Sequence, residues 1–75
     1  MVLDLRTRTF YRDHLLSHQP TRDDAGRFQA RVAITYLGGE KTRAQRFLDL
    51  EAFDSEQEAI DRGRAAGIAW VDRHA

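Results

Sequence analysis

The last third of the chain carries the pattern that most restricts its fold. Ser55 and Glu58 have the spacing of a capping box, in which each side chain bonds the backbone N–H of the other residue at a helix start. Small or apolar residues then recur every three or four positions: Ala59, Ile60, Gly63, Ala66, Gly67, Trp70 and Val71. This spacing predicts one amphipathic helix over residues 55–73. Because two glycines lie on its apolar face, we expect this helix to lie very close to its support.

An alternating pattern before the helix predicts β-structure. Apolar residues alternate with more polar ones over 27–36, which is typical of a half-buried strand. Gly38-Gly39 predicts a two-residue hairpin turn, because glycine tolerates the positive φ that such turns require. The partner strand would then cover about 41–49. A strict two-residue turn places Arg31 opposite Arg46, where repulsion calls for a bound anion, splayed side chains or a register-shifting bulge.

The first third of the chain is ambiguous. Residues 9–19 fit either an edge strand or a short helix, and 20–26 fit a loop. Since one hairpin and one helix leave a thin core, we predict a third strand over about 14–19. The predicted fold class is α+β, a three-stranded antiparallel meander with one C-terminal helix packed on one face. We expect residues 1–8 to be frayed.

Length and composition limit the classes of protein to which this chain can belong. With 75 residues, 41% hydrophobic and 32% charged, the chain predicts a single domain over residues 1–75. It has no apolar run of about 18 residues and no signal-peptide pattern, so we expect no membrane partner. The absence of cysteine excludes disulfides and fits a cytoplasmic location. Because so short a chain builds a small core, self-association would be an additional source of stability for it.

The charged residues are unevenly distributed. Residues 1–46 carry nine basic and five acidic side chains, and residues 47–75 carry three and seven, so the net charges are +4 and −4. The asymmetry indicates either a basic sheet neutralised by an acidic helix start or a separate binding face. The candidates for binding an anion or nucleic acid are the polar residues of the hairpin: Arg27, Gln29, Arg31, Arg43 and Arg46.

Motifs for catalysis are missing from the sequence. It has no glycine-rich phosphate loop, no nucleophile elbow and no dinucleotide fingerprint. We therefore expect that the protein is not an enzyme and that it has no catalytic residue and no cofactor. His14 and His18 would lie about 13 Å apart on a strand, which favours surface or edge histidines over a metal pair. Trp70 and Phe53 are interpreted as core anchors, with pocket lining as the alternative.

Four segments carry a first family resemblance. Tyr11-Arg12-Asp13-His14-Leu15, the segment 26–32, the segment 53–59 and Trp70-Val71-Asp72 resemble small uncharacterised bacterial proteins of β-β-β-α architecture. The resemblance covers about residues 10–73 and implies a fold. It implies no functional residues.

A weaker resemblance covers residues 26–63. A glycine-aromatic strand start, a basic hairpin and the helix start Phe53-Asp54-Ser55-Glu56-Gln57-Glu58-Ala59 are similar to the arm-type DNA-binding domain of phage-type tyrosine recombinases. That resemblance implies that the exposed sheet face enters a DNA groove and that the five hairpin candidates contact DNA. The chain departs from this family in its zero net charge and its acidic helix, and these 75 residues include no recombinase catalytic domain.

The sequence therefore predicts a small non-catalytic interaction module. We expect it to bind a protein partner or a second copy of itself through an edge strand or the open sheet face. The alternative is a nucleic-acid-binding domain that uses the basic sheet face.

Overall fold

The computed structural model describes residues 5–41 and 43–74 and confirms an α+β fold. All of its strand pairs are antiparallel and belong to one sheet. In chain order the elements are β1 (Arg8–Tyr11), β2 (His14–Ser17), β3 (Thr21–Arg22), β4 (Phe28–Tyr36), β5 (Arg43–Phe53) and α1 (Glu56–His74). The sheet has five strands, so the prediction of three was too low.

The central strand of the sheet is β4. One of its edges pairs with β5 and the other with both β2 and β3, while β1 lies beyond β2. The two residue numbers in each pair sum to 50 both for β2 (His14 with Tyr36) and for β3 (Thr21 with Gln29). The two strands therefore keep the same register on β4 and lie end to end along its edge. Residues 18–20 lie between them and are not strand, so the strand predicted over 14–19 ends at Ser17.

The hairpin of β1 and β2 had no sequence signal. Its turn residues Arg12 and Asp13 have φ values of 48° and 63°, a left-handed conformation that two-residue turns usually assign to asparagine or glycine. The segment 9–19 thus contains two strands joined by a turn, and no helix. The fraying allowed for over residues 1–8 does not extend to Thr7, which is 5% exposed and accepts a 2.7 Å hydrogen bond from the His18 N–H, or to Arg8 in β1. Residues 1–4 lie outside the described part of the chain.

The connection between β4 and β5 is longer than predicted. Tyr36 pairs with Arg43, so residues 37–42 separate the strands, and Gly38 has no positive φ. A Cβ on Gly38 would lie 2.6 Å from the Tyr36 hydroxyl, so a larger residue at this position requires the Tyr36 side chain to move. Arg46 pairs with Ala33, which corrects the prediction that it lies opposite Arg31. Further along, a bulge in β5 shifts the register between Ala30 and Val32.

The core lies between one sheet face and α1. Leu16, Val32, Ile34 and Val71 form its buried cluster, and Trp70 packs against that cluster. The helix prediction is confirmed to within one residue at each end, and Ser55 Oγ accepts the predicted bond from the Glu58 N–H at 3.3 Å. The close approach is also confirmed, because a Cβ on Gly63 would lie 2.4 Å from the Arg31 carbonyl oxygen. No helix in the described ranges is long and apolar enough to span a membrane.

Candidate functional site: the open sheet face

The helix covers only one face of the sheet. Successive side chains of a strand point to opposite faces, and Leu16, Val32 and Ile34 point toward α1. We call the other surface the open face. By strand pairing and side-chain alternation, its members include Arg8, Phe10, Leu15, Ser17, Gln29, Arg31, Ala33, Thr35, Ala44, Arg46 and Leu48. Within the described residues, no secondary-structure element packs on it.

The open face has an apolar band. Strand pairing places Phe10, Leu15, Thr35 and Ala44 in one row across β1, β2, β4 and β5. Phe10 in this row is 60% exposed, and Leu48, which is 54% exposed, lies on β5 two residues beyond Arg46. A water-facing sheet surface normally carries polar residues, and contiguous exposed apolar side chains are typical of interaction sites. The band therefore distinguishes this surface from an ordinary solvated face.

Arginines flank the apolar band. The adjacent row contains Arg8 and Arg46 at its two ends, on β1 and β5. Arg31 projects from β4, and its Nε donates a 3.0 Å hydrogen bond to the Gln19 carbonyl. Arg31 and Arg46 line a shallow groove of about 310 Å³ together with Leu48. None of these three arginines forms an ion pair with a carboxylate in the described ranges, so their charge is available to a partner.

The structure separates the five hairpin candidates. Gln29, Arg31 and Arg46 belong to the open face. Arg27 is engaged at the end of the sheet, where its Nη2 donates to the Ala52 carbonyl at 2.8 Å and its Nε lies 3.3 Å from Asp54 Oδ1. Arg43 lines a cleft on the helix side of the sheet. The five candidates therefore do not share one surface. Arg8 and Phe10 were not among them because β1 was not predicted.

In the described part of the chain, ion pairs join the two oppositely charged halves in two places. Besides the pair of Arg27 with Asp54, Arg12 Nη1 donates to Asp72 Oδ1 at 3.0 Å. The Tyr11 hydroxyl donates to the same oxygen at 2.8 Å. These bonds stabilise the carboxylate, so they lower the pKa of Asp72, chiefly through Tyr11, and raise the pKa of Tyr11. They join the β1–β2 turn to the last turn of α1.

His18 is buried, which corrects its interpretation as a surface or edge residue. It is 0% exposed, and its Nε2 lies 2.9 Å from Thr9 Oγ1. Burial lowers the pKa of His18, and the nearby Arg64 lowers it further. Across the described chain, no group of three or more histidine or carboxylate side chains is arranged to hold a metal ion.

The burial of His18 implies a pH-dependent stability. Its pKa is lower in the folded than in the unfolded chain, so the unfolded chain binds more protons as the pH falls below about 6.5. We expect the free energy of unfolding to decrease from about pH 7.5 to about pH 5.5, and His18→Gln to reduce that dependence. Urea unfolding of both proteins at both pH values measures this. An equally steep dependence in His18→Gln would assign the effect to other groups.

Comparison with known proteins supplies no relative. No family model matches the chain, and neither a curated protein nor a solved structure is significantly similar to it. The two family resemblances described from the sequence stay predictions.

Proposed function

We propose that the protein is a non-catalytic interaction module whose open face binds an acidic surface of a protein partner. The observation that carries this proposal is the apolar band, in which Phe10 is 60% exposed, beside three arginines without carboxylate partners in the described ranges. Apolar side chains beside arginines are complementary to a partner with apolar side chains and nearby carboxylates.

The sheet edges are less suitable for pairing with another chain. The edge strand β1 has only four residues, Arg8–Tyr11. The opposite edge strand, β5, is longer, but its bulge interrupts the regular spacing of backbone groups between Phe47 and Glu51. Short edge strands and bulges are the usual features that prevent edge pairing. The open face is therefore the better interaction surface.

A second copy is a poor occupant of the open face. Face-to-face packing would oppose two surfaces that each carry Arg8, Arg31 and Arg46 and lack compensating ion pairs within the described chain. Like charges in contact cost free energy and select against such a partner. We therefore expect the protein alone to sediment as an 8.7 kDa monomer.

Poly-L-glutamate is a suitable probe for the proposed partner chemistry. We expect the protein to bind it at low ionic strength and to lose affinity as salt is added, because exposed charges are screened. Isothermal titration calorimetry at two salt concentrations measures the affinity and its salt dependence. Sedimentation of the protein alone measures its oligomeric state. A stable dimer that does not bind poly-L-glutamate would replace this proposal with self-association.

A second candidate function is binding of single-stranded nucleic acid to the same face. It is favoured by the exposed Phe10 ring, on which a base can stack, in a face that also carries arginines. If Arg8, Arg31 and Arg46 each contact one phosphate, log affinity should fall with log salt with a slope of about −2. Fluorescence titration of labelled oligothymidine at several salt concentrations measures the slope. Binding that is independent of salt, or absent, would contradict this candidate.

A further inference from the structure

A second concave site lies on the helix side of the sheet, away from the open face. It occupies about 750 Å³ where β4 and β5 extend past the last turn of α1, and it also borders the β1–β2 turn. This volume falls within the range of about 300–1,000 Å³ that is usual for small-molecule sites. The size alone permits a ligand of one or two rings.

Aromatic rings form the walls of this cleft. The rings of His14 and Tyr36 lie 5.0 Å apart, and Trp70 stacks on His74 with centroids 4.2 Å apart and planes 16° apart. His14 also meets Trp70 edge-on at 6.4 Å. A flat ring can extend such a series by stacking or by edge-to-face contact.

Hydrogen bonds hold both histidines in the cleft in defined orientations. His14 Nδ1 lies 2.6 Å from the Arg12 carbonyl oxygen, and His74 Nδ1 lies 2.8 Å from the Trp70 carbonyl oxygen. A carbonyl only accepts, so Nδ1 carries the proton in each ring and Nε2 has no protein partner within the described ranges.

The charge of the cleft favours an anion. Arg43 lines it without an ion pair in the described ranges, and the carboxylate of Asp72 outside it is neutralised by Arg12. Among the described residues that line it, Asp13 is the one carboxylate. An arginine fork is well suited to a carboxylate or a phosphate.

From this arrangement we propose that the cleft binds a small aromatic anion, a flat ring carrying a carboxylate or a phosphate. The ring stacks among His14, Tyr36 and Trp70, and the anionic group pairs with Arg43. The left-handed Arg12 and Asp13 form one rim, and such strained residues concentrate at functional sites. The site is independent of the open face, since Arg43 and Arg46 lie on opposite sides of β5.

The single tryptophan of the chain reports on this site directly. In ¹⁵N NMR titrations with adenosine 5′-monophosphate and with benzoate, the Trp70 indole N–H should shift and saturate with at least one of them. The two probes distinguish phosphate from carboxylate as the preferred anion. If phosphate is the preferred anion, adenosine and inorganic phosphate, which each lack one half of the ligand, should bind at least about 10-fold more weakly than adenosine 5′-monophosphate. If carboxylate is preferred, benzyl alcohol and acetate should bind at least about 10-fold more weakly than benzoate.

Two substitutions on β5 supply a matched comparison. Arg43→Gln should weaken binding of the preferred probe by about 10-fold or more, whereas Arg46→Gln, three residues away on the open face, should leave it unchanged. The dispersion of the amide spectrum confirms that both variants are folded. Absence of a saturable Trp70 shift with either anion, equal binding of the uncharged ring, or equal losses in the two variants would overturn the proposal.

Discussion

Gly63→Ala should destabilise the protein by about 2 kcal/mol or more, although alanine forms helices better than glycine by about 1 kcal/mol. The added Cβ would lie 2.4 Å from the Arg31 carbonyl oxygen and 2.9 Å from His18 Cβ. The carbonyl belongs to the backbone of the central strand and cannot move aside without disturbing β4. Thermal unfolding measures the effect, and for a domain of this size we expect the melting temperature to fall by about 10 °C.

Gly67→Ala is the matched control for this prediction. Its added Cβ would lie 3.1 Å from the terminal methyl carbons Leu16 Cδ1 and Val32 Cγ2, which can shift by a few tenths of an ångström. We therefore expect its stability to remain within about 1 kcal/mol of the wild type. If Gly63→Ala were as stable as Gly67→Ala, the packing of α1 on β4 would be looser than described.

The double variant Arg31→Ala/Arg46→Ala should bind poly-L-glutamate about 10-fold more weakly than the wild type or worse. Ten-fold corresponds to about 1.4 kcal/mol, which is reasonable for the loss of two exposed charge contacts. Isothermal titration calorimetry at low ionic strength measures the change. The fold should survive, because Arg46 has no ion pair in the described ranges and Arg31 loses one exposed hydrogen bond.

The control for net charge is Arg64→Ala/Arg73→Ala. This variant also removes two positive charges, but both residues belong to α1 on the other side of the sheet. It should retain nearly full affinity for poly-L-glutamate. Equal losses in the two double variants would mean that net charge, and not the open face, governs binding.

The parts of the fold that depend on local sequence signals were predictable. Ser55 and Glu58 mark the start of α1, and the alternation over 27–36 marks β4, because each signal concerns residues adjacent in the same element. The β1–β2 hairpin was missed because Arg12 and Asp13 adopt positive φ values without glycine or asparagine. Tertiary packing stabilises that turn, through the bonds of Tyr11 and Arg12 to Asp72.

The candidate site was predictable only in part, for a related reason. Its membership depends on the register of β4 and β5, and the six-residue connection and the bulge both shift that register from the predicted one. The shift changes the residue paired with Arg46 from Arg31 to Ala33, two residues further along β4. Because side chains alternate between the faces with a period of two, Arg46 stays on the same face. Phe10 and Arg8 became members of the face only through β1, and the burial of His18 depends on Gly63 of α1 packing against it.

The most direct test of the open face is an NMR map of the wild-type protein with poly-L-glutamate. Amide shifts should concentrate at Ala33, Ala44 and Leu48, on the open face, and in β1 around Phe10. The exposed side of α1, including Ala65 and Ala69, should remain unchanged. Shifts spread evenly over both sides of the molecule, or concentrated on α1, would contradict the assignment of the open face as the interaction surface.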